Sequence, residues 1–92
     1  MEDDFAVNER IKTLREHLGL GRSEFAKETG LKKDSLQNIE QKKQKVYTWQ
    51  VQAIASRWPS YKVWLVFGET LPEVGQISPE IEDARRNLNA AG

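Results

Sequence analysis

Cysteine is absent from the 92 residues, so no disulfide staples the fold and no thiolate can hold a metal. Histidine occurs once, at His17, with no obvious nucleophile for it to activate, and no glycine-rich phosphate cradle is present. Acid–base, nucleophilic and metal chemistry therefore lack their parts, and the expectation is a protein that is not an enzyme and uses no cofactor or metal. Long apolar runs are also missing. The longest, Val63 to Phe67, falls far short of the roughly 20 residues a bilayer span requires. No basic, apolar, small-residue leader opens the chain, which predicts a cytoplasmic protein. An excess of one charge is lacking too: 14 Lys and Arg balance 14 Asp and Glu.

The balance conceals a pattern. Between Asn8 and Phe67, twelve Lys or Arg residues face six Asp or Glu. The remaining acids flank that stretch, as Glu2, Asp3 and Asp4 before it and Glu69, Glu73, Glu80, Glu82 and Asp83 after it, with Arg85 and Arg86 offsetting two. A basic body with acidic ends suits a polyanionic partner, although solvated surfaces carry charge clusters as well. With 38% hydrophobic and 30% charged residues, the chain is expected to fold as one small soluble domain plus a tail.

Val7, Ile11, Leu14 and Leu18 repeat at helical spacing and predict a first helix, ended by Gly19, with Asp4 and Asn8 both competent to cap its start. A second helix is expected from about Arg22 to Thr29 and a third from about Lys33 to Glu40, then a lysine-rich connector, Lys42 to Tyr47. Thr48 can cap a fourth helix with Val51, Ile54, Ala55 and Trp58 as its buried stripe. Pro59 breaks it, and a short fifth helix runs from about Ser60 to Phe67. Residues 70–77 read as a linker, because Pro72 and Gly75 interrupt any period. Ser78-Pro79-Glu80 is a strong start for a last helix with Ile81, Ala84 and Leu88 as a thin apolar stripe.

The most informative stretch is residues 22–41. Phe25 and Ala26 face a core, Gly30 turns a corner, Leu31 plugs it, and Leu36 with Ile39 anchors the following helix by its inner side. At about 100° per residue, Asp34, Asn38 and Gln41 then project outward, with Gln37 to one side and Lys33 at the leading end. This reads as a helix-turn-helix whose second helix presents its N-terminal end to the DNA major groove. The edge chemistry fits: Lys33 can donate to guanine, Gln37 or Asn38 can bracket adenine, and Asp34 can accept from cytosine or simply hold Lys33. Arg22 at the start of one helix, and Lys42, Lys43 and Lys45 after the next, are placed to grip phosphates. The bland alternative is two core helices with a wet face.

RSEFAKETGLKKDSLQNIE, preceded by ERIKTLREHLGL and followed by AIASRW and VWLVFGE, resembles the Cro/C1-type (xenobiotic-response-element-like) helix-turn-helix family of phage repressors and bacterial regulators. The resemblance spans roughly residues 8–69. It implies an all-α, compact five-helix lambda-repressor-like DNA-binding bundle, here with a short C-terminal helix added, and a dimer on a two-fold operator. By position it places base reading on Lys33, Asp34, Gln37 and Asn38, and phosphate binding on Arg22, Lys42 and Lys43, with Lys32 at the entry of the reading helix. Three departures stand out: Arg22 where glutamine is frequent, Gly21 in place of a hydroxyl cap, and Gln41-Lys42 in place of a glycine turn.

The implied organisation is a DNA-binding domain over residues 1–69, a linker over 70–77, and a C-terminal helix and tail over 78–92. Trp58 and Trp64 read as core, and His17 as a boundary residue. Trp49 falls opposite Val51 and Ile54, and Leu65 points away from Val63 and Phe67. With Ile81, Ala84 and Leu88 they form an expected dimerisation surface, unless the tail folds over its own domain. The functional expectation is a sequence-specific repressor of phage or prophage type, a homodimer on double-stranded DNA. Two alternatives stay open: an antitoxin whose tail holds a toxin or other regulatory protein, and an interaction module that kept the fold without DNA.

Overall fold

A computed structural model describes residues 3–91, and among these it contains six α-helices and no strand. The helices are α1 (Ala6–His17), α2 (Arg22–Thr29), α3 (Lys33–Glu40), α4 (Thr48–Arg57), α5 (Lys62–Phe67) and α6 (Pro79–Ala91). One 3-10 turn, Pro59–Tyr61, leads into α5, and a second, Pro72–Val74, lies between α5 and α6.

The apolar spacing seen in the sequence becomes one core. Ile11 and Leu14 of α1, Phe25 of α2, Leu31, Leu36 and Ile39 around α3, Ile54 of α4, Tyr61, Leu65 of α5 and Ile77 are all buried in a single cluster. Trp58 stacks on Phe25 with ring centroids 5.0 Å apart, closing the gap between α2 and α4. Gly30 ends α2 in the left-handed conformation at φ 81°, and its N–H donates to Ala26 O at 2.8 Å, so the chain turns sharply into α3.

Helix starts differ in detail from the expected caps. Neither Asp4 nor Asn8 caps α1. The N-cap is Phe5, whose N–H is taken by the Asp3 carboxylate at 2.7 Å, while Asn8 lies inside the helix and is buried. Thr48 does not cap α4 either: Tyr47 occupies that position, and its N–H donates to the Gln50 side chain at 2.9 Å. Asn8 is committed elsewhere, its amide donating to Ile39 O and Gln44 O, and α4 begins one residue earlier than expected because the Gln50 side chain takes the Tyr47 N–H. Ser78 does begin α6, its hydroxyl accepting the Ile81 N–H at 3.2 Å.

Residues 70–77 are tied down rather than loose. Leu71 and Gln76 exchange backbone hydrogen bonds of 2.8 and 3.0 Å, and the Ile77 N–H donates to Ser60 O at 2.9 Å. The Gln76 amide accepts from Val63 N–H at 3.1 Å and donates to Pro59 O at 3.0 Å, which satisfies the start of α5. Beyond this clasp, α6 packs on α1 through Ile81. There the His17 ring, nearly buried, lies 3.3 Å from the Tyr61 hydroxyl and 3.3 Å from Asp83 Oδ1. Leu65 must be corrected: it is 0% exposed and belongs to the core, so it is no part of a dimer surface. A six-residue helix carries too little period to fix its facing, and Arg10 sets it by donating from Nε to Leu65 O at 2.9 Å and from Nη2 to Val66 O at 3.1 Å.

Candidate nucleic-acid interface

Helix α3 is held from one side only. Leu36 and Ile39 are fully buried, whereas Lys33 and Asp34 are exposed and Gln37 and Asn38 are half-buried, so all four expected base-reading side chains share the outer aspect of one short helix. Its start follows the Gly30 corner, and Lys32 and Lys33 stand there exposed, with no acidic partner among the described residues. Free N–H groups and ammonium groups thus meet at the leading end of α3.

The trailing end closes in a left-handed turn. Lys42 takes φ 61°, its N–H donates to Ile39 O at 3.1 Å, and the Lys43 N–H donates to Asn38 O at 2.8 Å. This is the pair of bonds of a Schellman closure, with lysine where glycine is usual. The missing glycine therefore leaves the turn's shape intact.

Two buried polar residues brace α3 against α1. Asn8 donates from Nδ2 to Ile39 O at 2.9 Å and to Gln44 O at 2.8 Å. The Glu40 carboxylate is grasped by Arg15, Nε to Oε2 at 2.7 Å and Nη2 to Oε1 at 2.9 Å, and by Arg22 Nε at 3.2 Å. Its hydrogen bond to Glu40 raises the Arg15 pKa above the ordinary guanidinium value. Removing one member of such a buried pair costs roughly 3–5 kcal/mol, because the remaining charge has no water to turn to. Neither brace is visible locally in the sequence. The one available signal is a glutamate and an asparagine at positions where helical period calls for a core-facing residue.

The expected phosphate-binding cations divide into two groups. Lys32 and Lys43 are exposed and unpaired among the described residues. Lys42 pairs with Glu9, whose hydrogen bond raises the lysine pKa, and Lys45 Nζ reaches Asp4 O at 3.1 Å while lying 4.1 Å above the Phe5 ring. Arg22 uses Nε on Glu40 and stands half-exposed at the start of α2. The acids on Lys42 and Lys45 are themselves exposed and screened by water, so exchanging them for phosphate costs little.

Trp49 is 55% exposed, as its position on α4 predicts, but it faces the α3 side. With Gly30, Lys32, Ser35, Gln44, Tyr47 and Gln50 it lines an open groove of about 350 Å³ beside the leading end of α3. Lys32 is the only charged residue in that lining. Trp49 thus lines a groove with residues at the start of α3, and Ile81, Ala84 and Leu88 are not part of that lining. Of those three, Ile81 is packed against the core, while Ala84 and Leu88 are exposed. Exposed apolar side chains that the sequence did not single out are Val66, Phe67, Leu71 and Val74, around the end of α5 and the turn that follows.

No known family model and no curated protein matches the chain. Among solved structures, the chain is similar to Pf6r from the filamentous phage Pf6 of Pseudomonas aeruginosa PA01. The two share 31% sequence identity with a TM-score of 0.74, over 94% of this chain and 98% of that one.

Proposed function

We propose, for a chain that belongs to the same family as the phage protein Pf6r, that it is a cytoplasmic, sequence-specific double-stranded DNA-binding regulator and not an enzyme. In this reading α2 and α3 are a helix-turn-helix of the Cro/C1 type within a lambda-repressor-like bundle, and the protein acts as a repressor at a two-fold operator. The observation that carries it is α3, clamped from beneath by Leu36 and Ile39 and presenting Lys33, Asp34, Gln37 and Asn38 outward. A core helix would bury both sides; a helix with a wet amide and ammonium face between unpaired lysines suits a groove lined by base edges and phosphates.

The roles divide by position. Lys33, Asp34, Gln37 and Asn38 meet base edges, each good bidentate pair discriminating by roughly 1–3 kcal/mol. Arg22 grips one strand's backbone. Lys43, with Lys42 and Lys45 after release from their acids, grips the other, and the Lys32–Trp49 groove takes the same strand further along, its indole against sugar. Selection of binders from a pool of random duplexes tests the reading directly. The expected product is a two-fold sequence whose binding weakens steeply with salt; enrichment of no sequence would refute it.

A second reading has one feature in its favour. Leu88 is 74% exposed on the half of α6 that lies beyond the α1 contact, so the tail has an unpaired apolar side chain to offer a toxin or other regulatory protein. Co-purification of a small protein whose binding is lost in Leu88→Asp would support it, and a preparation free of any such partner would leave the repressor reading alone.

A further inference from the structure

We infer that Asn8, a residue of α1 far from the outer face of α3, is a positioning residue for DNA recognition, an inference that rests on the DNA-binding reading above. Asn8 is only 2% exposed, yet among the described residues its amide bonds no other side chain; both hydrogens of Nδ2 go to main-chain carbonyls. One acceptor, Ile39 O, belongs to the last turn of α3, and the other, Gln44 O, lies five residues on. The amide can sit only one way round, because turning it would aim Oδ1 at two carbonyl oxygens.

The segment between those two acceptors is the one that must be held. It contains Lys42 and Lys43, and it turns through Lys42 at φ 61°, a conformation that a lysine does not favour. Ile39 O already accepts the Lys42 N–H, so Asn8 adds a second bond on the atom that closes the helix. The same amide then pins the chain where it leaves the turn. Asn38 on the reading face and Lys43 on the backbone-gripping loop are thereby fixed relative to each other, and both are fixed to α1. Without the amide the lysines keep their charge but not their distance from the base edges. Asn8 thus controls whether base contacts and phosphate contacts are made together.

This separates Asn8 from a residue that merely stabilises the fold. A loss of fold stability lowers the melting temperature and leaves the complex unchanged wherever the protein is fully folded. A loss of register changes the complex itself. The experiment compares the whole chain with Asn8→Ala and Asn8→Ser, at a temperature where circular dichroism shows each fully folded. Each is titrated across salt with the duplex selected by the native protein and with a scrambled duplex. For Asn8→Ala the expected result is a tenfold or greater loss on the selected duplex, a salt slope smaller by about one phosphate contact, and scrambled-duplex binding close to native. Asn8→Ser, with one donor in place of two, is expected to fall between. A folded Asn8→Ala with native slope and native preference overturns the inference, as does equal weakening on both duplexes. If Asn8→Ala does not fold, Asn8→Ser bears the same readouts, and native behaviour there overturns it equally. Should the native protein itself distinguish no duplex, the DNA reading fails and the comparison at Asn8 is not the cause.

Discussion

Lys42 occupies a left-handed position where glycine would be unstrained, and both closing bonds of the turn are nonetheless made. A non-glycine residue there costs on the order of 1–3 kcal/mol, while glycine loses roughly 0.5–1 kcal/mol more backbone entropy on folding. Lys42→Gly should therefore stabilise the protein by about 1 kcal/mol, a rise of a few degrees in Tm, even though the exposed pair with Glu9 is lost. Affinity for duplex should fall several-fold at the same time, with a smaller salt slope. Thermal melting and salt-dependent titration check both signs; a fall in Tm would mean that the pair outweighs the strain. Tyr61 supplies a second test. Burial, followed by the charge of Glu82, raises its phenol pKa above the ordinary value. The neutral phenol is thus favoured in the folded state, so its contribution is whole below the unfolded pKa of about 10 and is lost as pH rises through the higher folded one. Stability should drop in that alkaline window together with the appearance of phenolate absorbance. In Tyr61→Phe the drop should shrink, whereas an unchanged alkaline profile would assign it to other groups.

On the proposed DNA-binding reading, α3 carries base contacts and the turn after it phosphate contacts, and the two should separate on mutation. Asn38→Ala is expected to relax preference at one base position per half-site, at a cost of roughly 1–3 kcal/mol against the preferred base. Lys43→Ala should weaken all duplexes alike and lower the salt slope by about one. Parallel titrations on matched and mismatched duplexes distinguish the two, and identical profiles would contradict the division. The acids facing this element carry a further expectation. Glu9 holds Lys42 as a phosphate would, so Glu9→Gln should tighten duplex binding and steepen its salt dependence. Weaker binding in that variant would show instead that Glu9 orients the lysine. Much of this element was legible beforehand, because Leu36, Ile39 and Gly30 follow helical spacing and turn chemistry. Its bracing was not. Asn8 and Glu40 meet their partners 18 to 36 residues away, and only their place on the core-facing period of their helices hints at burial. Leu65 failed for the opposite reason: α5 has six residues, too few for periodicity to choose a face, and Arg10 makes the choice from another helix. Residues 70–77 looked unstructured because their order comes from the side chain of Gln76 and a bridge, neither of which has a period.

For the whole molecule the proposed reading raises the question of how one small face becomes specific. On the proposed reading a short helix meets few base pairs, and discrimination would come from doubling, with half-sites about one helical turn, roughly 34 Å, apart. The protein measures 42 × 30 × 20 Å, dimensions comparable with that spacing. The surface between copies must be apolar enough to hold yet away from α3. With Leu65 buried and Trp49 beside α3, the exposed apolar side chains left for a contact between copies are Val66 and Phe67 at the end of α5, Leu71 and Val74 in the turn after it, and Leu88 on α6, and Phe67 is the first to test. Phe67 is 63% exposed, so Phe67→Asp should change fold stability by no more than about 0.5 kcal/mol. On a two-fold duplex it should nevertheless abolish the steep concentration dependence of binding, leaving two weak, independent half-site events. Sedimentation of the complex and a titration on single and paired half-sites measure this. A Phe67→Asp protein that still loads two copies cooperatively would move the contact to α6, where Leu88→Asp is the corresponding test. Native protein that binds paired half-sites no better than single ones would remove the dimer altogether.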